Sequence, residues 1–374
     1  MTSDGRIKVA QVIGRVAEGG VEKMITNLYQ HIDHSKVVFD FFVENTSLIV
    51  NKEELEKYGG KVIIIPPYKK LFKFNKTLKY YFKEGQYDIV HVNMNTLSVF
   101  ALRIAKKAGI KIRISHSHST SNRKELIRHV IKQLLRPFSK LYPTHYFACS
   151  GLAGKWLFGN KLYKSGKVEI INNAIDLDYF KYNEAAGNQT RNELGISNDQ
   201  KIIGHVGRFC AQKNQPFLID TFNEICKVRN DVSLIFIGTG EDELEVRKKV
   251  DEYGLTDKVH FVGAVPNVAK YYNAMDCFAL PSIYEGLPVV GVEAQANRLK
   301  CFFSKNVTQE AILLKETEQI DLKEGSKKWA DSIVKFLDTN QKRVIGDFDE
   351  KYDINKISQK LLSLYEKYIS ESAK

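Results

Sequence analysis

The stretch LPSIYEGLPVVGVEAQ, residues 280–295, holds two carboxylates separated by seven residues of which none is charged. A surface segment would scatter its charges and a core segment would exclude them, so the pattern is typical of neither. The preceding DCFALPS, residues 276–282, predicts a strand that ends here, and Pro288 suits the first position of a following helix. The stretch therefore predicts a strand, a tight turn and a helix that begins at the ligand-binding edge of a parallel sheet.

The two acids of this stretch are candidates for binding a ligand. Glu285 is predicted on the turn, where Gly286 lets a ligand approach the backbone and the first helical amides favour an anion. Glu293 lies further into the helix and could accept two hydrogen bonds from a vicinal diol such as ribose. The alternative is two unrelated surface acids, but the apolar residues between them favour a largely buried helix.

Short apolar strand signals alternate with helical signals throughout the chain. The predicted strands are residues 7–14, 37–43, 61–67, 87–93, 110–115 and 145–150 in the first half, and 201–207, 232–238, 258–263, 276–282 and 300–304 in the second. This alternation predicts an α/β protein with two parallel sheets, each covered by helices on both faces. The polar residues 182–200 between the two series suit a linker.

A basic segment, GRFCAQKN at residues 207–214, follows the first strand of the second half. Arg208 and Lys213 could flank a diphosphate at the end of that strand, and two cations would offset its charge without a metal ion. An ordinary solvated basic loop is the alternative.

Two further segments follow strands of the first half. AEGGVE, residues 17–22, places Gly19 and Gly20 where a phosphate or sugar could approach, although a plain turn is the alternative and the dinucleotide fingerprint is absent. RISHSHST, residues 113–120, carries His116 and His118 on a predicted polar loop. Without a nearby acid or cysteine they do not make a closed metal site, so hydrogen bonding to a sugar is favoured over metal binding. The alternative is a pair of histidines without a role.

Length, cysteine content and charge limit the classes of protein to which the chain can belong. A chain of 374 residues predicts two domains. Five cysteines without a CxxC pair favour a reducing compartment, and no signal or membrane-spanning segment is visible. Residues 1–180 hold 29 Lys and Arg against 15 Asp and Glu, whereas the remainder is nearly balanced with 27 against 29. An anionic partner of the first half is therefore expected, and charge alone leaves three classes open: nucleic acid, an acidic membrane surface and a phosphorylated acceptor.

Taken together, the motifs resemble the retaining nucleotide-sugar glycosyltransferases of family 4, which have the GT-B fold of two Rossmann-like domains with parallel sheets facing across a cleft. The resemblance is carried by the E-x7-E pair Glu285 and Glu293, by the preceding FVGAVPNVAKYYNAMDCFALPS, by GRF-x-x-Q-K-N and by NAIDLDYF at residues 173–180. It implies an acceptor-binding domain over residues 1–180, with a C-terminal helix of about 354–374 packing back onto it. The donor domain is then residues 181–353.

The resemblance also implies roles for individual residues. Arg208 and Lys213 hold the donor diphosphate and stabilise the charge that grows on it, while Glu293 binds ribose and Glu285 binds the transferred sugar. His118, with His116 as the alternative, takes the position of the family's active-site histidine. The segment that cradles phosphate and sugar consists of Gly286, Leu287, Pro288 and Val289, and Gly19 and Gly20 lie near the donor phosphates. The sequence departs from the family at Asn297 and Arg298, where small residues are common.

The expected donor is a UDP-sugar, and its sugar is expected to be transferred without a metal cofactor. The expected acceptor is lipid-linked or an oligosaccharide, for cell-surface polysaccharide synthesis. Residues 72–85 and 123–142 interleave basic with apolar and aromatic residues, which is typical of a helix on anionic lipid, so a cytoplasmic enzyme peripheral to the inner face of the membrane is expected. A solvated basic helix face is the alternative for these segments.

For function, the alternatives are a nucleotide-sugar 2-epimerase of the same fold and a basic nucleic-acid-binding protein. Nucleic acid is not expected as a partner because no recognised binding module is present.

Overall fold

A computed structural model describes residues 2, 4–14, 20–45, 52–118, 132–339, 343, 346 and 348–373. The chain forms two compact units, one of Met1–Ala174 with Glu350–Lys374 and one of Ile175–Asp349. Each unit contains one parallel sheet, so the predicted fold class of two parallel α/β halves is confirmed.

The described elements alternate between strand and helix along both units. The strands are β1 (Ile7–Gly14), β2 (Val37–Glu44), β3 (Lys61–Ile65), β4 (Ile89–Val92), β5 (Ile112–Ser117), β6 (His145–Ala148), β7 (Val168–Ile170), β8 (Lys201–Val206), β9 (Val232–Ile237), β10 (Val259–Gly263), β11 (Cys277–Leu280), β12 (Lys300–Ser304) and β13 (Glu318–Ile320). The α-helices are α1 (Gly20–His31), α2 (Lys52–Lys57), α3 (Leu71–Glu84), α4 (Ser98–Lys107), α5 (Gly151–Phe158), α6 (Asn160–Lys164), α7 (Glu184–Glu193), α8 (Gln215–Cys226), α9 (Glu243–Glu252), α10 (Ala269–Ala274), α11 (Val289–Ala296), α12 (Gly325–Leu337) and α13 (Ile354–Ala373).

The first unit has the strand order β3-β2-β1-β4-β5-β6-β7. Its central strand β1 pairs in parallel with β2 and β4, and Val9 and Val12 on it are fully buried. Helices α1 and α13 contribute to the core on one face of the sheet, and α3 and α4 to the core on the other. Apolar runs buried on both faces are what a parallel sheet requires, which is why these strands were visible in the sequence.

The C-terminal helix α13 packs within the first unit. Ile354, Leu361 and Tyr365 lie in the same core as the buried face of α1. The hydroxyl of Ser358 donates to the backbone carbonyl of His31 at the end of α1 at 3.1 Å. Helix α13 therefore packs on the sheet of the first unit, although the second unit separates it from that sheet in the sequence.

The second unit has the strand order β10-β9-β8-β11-β12-β13. Its core joins the buried faces of α8 and α12 to the central strands, with Trp329 fully buried. Strands β8 and β11 are neighbours at the point where the strand order reverses. In open parallel sheets this point is where ligands bind, and it is followed here by the GRFCAQKN segment on one side and the E-x7-E segment on the other.

Residues 182–200 are not the linker that their polarity suggests, because α7 occupies much of them. The Asn183 side chain caps this helix by accepting from the Ala186 amide at 3.0 Å. At Gly187 the helix passes so close to α10 that an added Cβ would lie 2.5 Å from the Asn273 carbonyl oxygen. Arg191 then reaches Asp276 at 2.6 Å. A glycine and polar groups make these contacts, so hydrophobic periodicity could not reveal the helix.

The boundaries between the units differ from the expected ones at residues 180 and 353. The segment NAIDLDYF was expected to close the first domain, but from Ile175 onward it belongs to the second unit. Phe180 is buried, and its ring lies 6.0 Å from that of Tyr272 in an edge-on arrangement. Its carbonyl accepts from the buried Asn297 side chain at 2.9 Å. Asn297 is thus buried and hydrogen-bonded where the resemblance predicted a small residue, and the next residue, Arg298, has a left-handed φ of 63°.

The basic segment at residues 72–85 forms most of α3. Phe74, Leu78 and Phe82 face the core, while the exposed face carries aromatic and basic side chains: Phe72, Lys73, Lys76, Lys79, Tyr80 and Lys83. Of the second basic segment, residues 123–131 lie outside the described residues, and Leu134, Phe138 and Leu141 are exposed. Within the described part of the chain, no helix is both long and apolar enough to cross a bilayer.

Candidate functional site

The E-x7-E segment adopts the predicted strand, turn and helix. Strand β11 ends at Leu280, and the residue directly before α11 is Pro288, whose side chain makes no capping hydrogen bond. A Cβ added at Gly286 would meet no atom of the described residues within 4 Å, so these residues leave open space beside the backbone of the turn. Glu285, Gly286, Leu287, Pro288 and Val289 thus present backbone at the start of a helix, the arrangement that suits an anion.

Glu293 is almost wholly buried on α11, with 1% of its surface exposed. The Tyr272 hydroxyl donates to Glu293 Oε2 at 2.9 Å and approaches the Val290 carbonyl oxygen at 3.2 Å. Burial raises the pKa of Tyr272 well above its usual range, and the adjacent Glu293 carboxylate adds to the shift. The tyrosine is therefore a permanent donor that orients the carboxylate. Sequence reasoning missed Tyr272, since nothing in the YYNAMD segment distinguishes it from a core residue.

Lys213 and Glu285 form an ion pair. Lys213 Nζ lies 2.6 Å from Glu285 Oε1, and the exposed fractions of the two side chains are 16% and 9%. The Ser282 hydroxyl donates to the same carboxylate oxygen at 3.1 Å. The structure therefore brings together two residues that the sequence places in separate motifs. Their opposite charges are largely shielded from water.

The loop that carries Lys213 is tied to the E-x7-E turn by backbone contacts. Gln212 donates to the Tyr284 carbonyl oxygen at 3.1 Å, and its own carbonyl accepts from the Ile283 amide at 2.8 Å. Asn214 has a left-handed φ of 60° and donates to the Pro281 carbonyl oxygen at 3.1 Å. These contacts fix the spacing between the two motifs.

Arg208 is not part of this ion pair. Its guanidinium contacts Glu241 at 2.9 Å in a surface pair whose side chains are more than half exposed. The Arg208 carbonyl accepts from the buried Gln215 side chain at 2.9 Å, and Gln215 also contacts the buried His205. The backbone at Arg208 is thus held while its side chain stays accessible to an incoming anion.

The predicted histidines lie in the first unit and are buried. His116 belongs to β5 and does not lie on a polar loop as predicted, because β5 extends two residues past the expected end of its strand. His118 follows the strand directly, and its ring centroid lies 3.9 Å from that of His116. Burial lowers the pKa of His118 to about 3 and that of His116 well below its usual value, so both rings are neutral at pH 7.

The histidines connect to polar residues that sequence analysis did not select. His118 Nε2 lies 2.8 Å from Asn93 Oδ1, and the His118 amide donates to Asn95 Oδ1 at 2.8 Å. Asn93 follows β4, the strand next to β5. Polar residues that follow adjacent parallel strands meet at one sheet edge, and that rule could have identified Asn93 and Asn95.

The glycine motif of the first half is described only in part. Gly20 begins α1, and Gly19 lies outside the described residues. In the parts of the chain that the structure describes, no group of three or more His, Cys, Asp or Glu side chains is arranged to hold a metal ion.

The two halves of the chain match two family models. Residues 18–179 match the model described as Glycosyltransferase Family 4. Residues 188–346 match the model described as Glycosyl transferases group 1.

Curated relatives match large parts of the chain. The putative glycosyltransferase EpsF of Bacillus subtilis strain 168 is 31% identical over 337 residues, which are 88% of this chain and 87% of EpsF. The capsular polysaccharide biosynthesis glycosyltransferase CapH of Staphylococcus aureus is 25% identical over 373 residues, 96% of this chain and 98% of CapH. An Escherichia coli protein named UDP-Gal:alpha-D-GlcNAc-diphosphoundecaprenol alpha-1,3-galactosyltransferase is 27% identical over 253 residues, 65% of this chain and 63% of that protein.

Solved structures share the architecture over the whole chain. Anabaena Alr3699/HepE in complex with UDP-glucose matches with a TM-score of 0.75, covering 98% of this chain and 99% of that one at 18% identity. At that identity the match is a likeness of fold alone.

Proposed function

The chain belongs to the glycosyltransferases that pair a family 4 domain with a group 1 domain, and we propose that it transfers sugar from a UDP-sugar donor. Its fold is GT-B, as the sequence predicted. The transferred group is a hexose or N-acetylhexosamine and the acceptor a lipid-linked glycan. The pathway is the synthesis of a cell-surface polysaccharide. CapH and the E. coli galactosyltransferase support this assignment, because their names specify a capsular polysaccharide and an undecaprenol-linked acceptor.

One observation carries the proposal: the Lys213–Glu285 ion pair beside the N-terminus of α11, where Pro288 makes no capping hydrogen bond. In the proposed reaction the anomeric bond breaks and negative charge grows on the UDP diphosphate. Lys213, Arg208 and the first amides of α11 stabilise that charge, so no metal ion is needed. Glu285 binds hydroxyls of the sugar and Glu293 those of ribose. His118 takes the role of the active-site histidine, and the acceptor attacks with retention of configuration.

The exposed face of α3 supports an anionic membrane surface as a partner. Phe72 is 83% exposed and Tyr80 is 61% exposed, and four lysines share this face. Aromatic side chains suit the interfacial layer of a bilayer, and lysines suit its anionic head groups. We therefore place the enzyme on the inner face of the membrane, with no nucleic acid as partner. Sedimentation with phosphatidylglycerol vesicles tests this. The Lys76→Glu/Lys79→Glu variant should bind less than Lys323→Glu/Lys328→Glu, which makes the same charge change at two exposed lysines of the second unit.

A transfer assay tests the function. The protein is incubated with a panel of UDP-sugars and an undecaprenyl-diphosphate-linked sugar, with and without EDTA. The expected product is an extended lipid-linked glycan with the anomeric configuration of the donor, formed equally well with EDTA. Release of an epimerised sugar nucleotide without transfer would replace the proposal with a 2-epimerase.

A further inference from the structure

A buried polar chain links the active-site histidine pair to the C-terminal helix. His91 on β4 lies between them: its Nε2 is 3.1 Å from His116 Nδ1, and its Nδ1 is 2.7 Å from the hydroxyl of Tyr365 on α13. Gln11 on β1 donates to the same hydroxyl at 3.1 Å. All these side chains have less than a tenth of their surface exposed, so each hydrogen bond forms without competition from bulk water.

The direction of each hydrogen bond follows from one fixed group. The His91 carbonyl oxygen can only accept, and Asn93 Nδ2 approaches it at 3.5 Å while donating to Gln11 Oε1 at 3.0 Å. Asn93 Oδ1 therefore faces His118, so His118 Nε2 is the donor and its Nδ1 carries the lone pair.

The same rule continues through the rest of the chain. Gln11 Nε2 donates to the Tyr365 hydroxyl and also lies 3.4 Å from His91 Nδ1, where a ring proton would face the amide protons. His91 Nδ1 is therefore the acceptor, and the hydroxyl proton points to it. His91 must then carry its proton on Nε2 and donate it to His116 Nδ1. His116 in turn carries its proton on Nε2.

Two atoms remain at the end of this chain. Among the described residues, neither His118 Nδ1 nor His116 Nε2 has a hydrogen-bond partner, although both are buried. Unpaired polar atoms in a dry site are costly, so each needs an explanation, and a catalytic role is one. The buried polar chain therefore leaves His118 Nδ1 as an acceptor for a sugar hydroxyl. It leaves His116 Nε2 as a donor to a substrate oxygen.

We propose that Tyr365 and His91 are positioning residues that set the tautomer and ring orientation of the His116–His118 pair for glycosyl transfer. The proposal rests on the proposed function, since it assigns these residues to the same reaction. It gives the C-terminal helix a part in catalysis, because a residue 274 positions beyond His91 completes the hydrogen-bonded chain. Tyr365 acts through His91 and His116 and touches no substrate itself.

Tyr365→Phe, compared with Tyr368→Phe, tests this in the full-length protein. Tyr368 is also buried on α13, but it stacks on His145 and lies outside the polar chain. Tyr365→Phe should lower kcat roughly ten- to a hundredfold, the range expected when a reacting group is slightly misplaced. The KM for the UDP-sugar should stay within about threefold. Tyr368→Phe should leave both constants near wild type. Equal kcat for the two variants would overturn the proposal.

Two substitutions at His91 separate positioning from packing. His91→Gln keeps an amide that can donate to His116, whereas His91→Phe fills the space without a donor. A positioning role predicts that His91→Gln retains more activity than His91→Phe. If His91→Phe is as active as His91→Gln, the residue serves packing and the proposal fails.

Nitrogen-15 NMR of the histidine rings tests the tautomers in the buried polar chain without any activity measurement. In the wild type, His118 should be protonated on Nε2 and His116 also on Nε2, and Tyr365→Phe should change the Nδ1 resonance of His91. Protonation of His118 on Nδ1, or an unchanged His91 in the variant, would contradict the assignment. If the tautomers are as expected and no UDP-sugar is turned over, the proposed function fails while the hydrogen-bonded chain stands.

Discussion

At the scale of single residues, the Lys213–Glu285 pair is the point where charge should matter most. Lys213→Met removes the cation that we assign to the donor diphosphate and leaves Glu285 largely buried without it. We expect kcat/KM to fall roughly a hundredfold, as when one preorganised donor is removed from an active site. The free energy of unfolding should fall by about 1–3 kcal/mol, because a largely buried carboxylate loses its cationic partner and keeps only the Ser282 hydroxyl among its described contacts.

Lys227→Met is the matched control for that substitution. Lys227 pairs with Glu224 on the surface at 2.5 Å, with 59% of its side chain exposed. Surface pairs of this kind contribute less than about 1 kcal/mol, so both activity and stability should stay near wild type. Steady-state kinetics and urea unfolding of the two variants decide the comparison. A Lys213→Met enzyme with normal kcat/KM would remove Lys213 from the mechanism.

Sequence patterns identified the residues that bear charge at strand ends but not those that hold them. Lys213 and Glu285 were selected from separate motifs and are in contact. Glu241, which pairs with Arg208, and Tyr272, which orients Glu293, were not selected. Such partners come from other elements of the sheet, and one sequence carries no signal that joins positions tens of residues apart.

At the scale of secondary structure, helix α7 shows that close packing can outweigh helix propensity. Gly187→Ala should stabilise an isolated helix by about 1 kcal/mol. Here the added Cβ would lie 2.5 Å from the Asn273 carbonyl oxygen, so the backbone of α7 or α10 must shift. We expect a net loss of about 1–3 kcal/mol in the free energy of unfolding.

The exposed neighbour Asn188 provides the control for Gly187. Asn188→Ala on the same helix meets solvent, so it should raise stability by up to about 0.5 kcal/mol through propensity alone. Chemical denaturation of both variants measures the difference in sign. Stabilisation by Gly187→Ala would mean that α7 does not pack on α10 as described.

Strands were more predictable than helices at this scale, for a physical reason. Strands such as β1 and β9 are buried on both faces, so their sequences are predominantly apolar runs. Strands β7 and β13 have three residues each, and so short a run carries too little pattern to predict a strand. Helix α7 is not predicted by hydrophobic periodicity because the contacts described above for it are polar.

At the scale of the whole molecule, buried histidines make stability depend on pH. Burial lowers the pKa of His91 and His118 to about 3, that of His205 to about 4, and that of His116 well below its usual value. In the unfolded chain each titrates near pH 6.5. Above that pH the rings are neutral in both states. Below it the unfolded chain takes up protons that the folded chain excludes, so stability is lost as the pH falls.

The expected loss is about 2 kcal/mol for each such histidine at pH 5, relative to pH 7.5. Urea unfolding at pH 7.5, 6 and 5 measures it, and His205→Gln should flatten the pH dependence because it removes one of the groups. A free energy of unfolding that is constant between pH 7.5 and 5 would show that these rings are accessible to protons in the folded protein.

The central claim is that the second unit binds the UDP moiety of a sugar donor, and thermal unfolding with nucleotides tests it most directly. UDP, GDP and NAD are each added to the wild type and to Glu293→Ala, and the stabilisation is measured relative to each protein alone. UDP at a hundred times its dissociation constant should add about 2.7 kcal/mol to the wild type. It should add clearly less to Glu293→Ala, and NAD should add nothing. No response to UDP, or the same response in both proteins, would contradict the assignment of the E-x7-E segment to the donor.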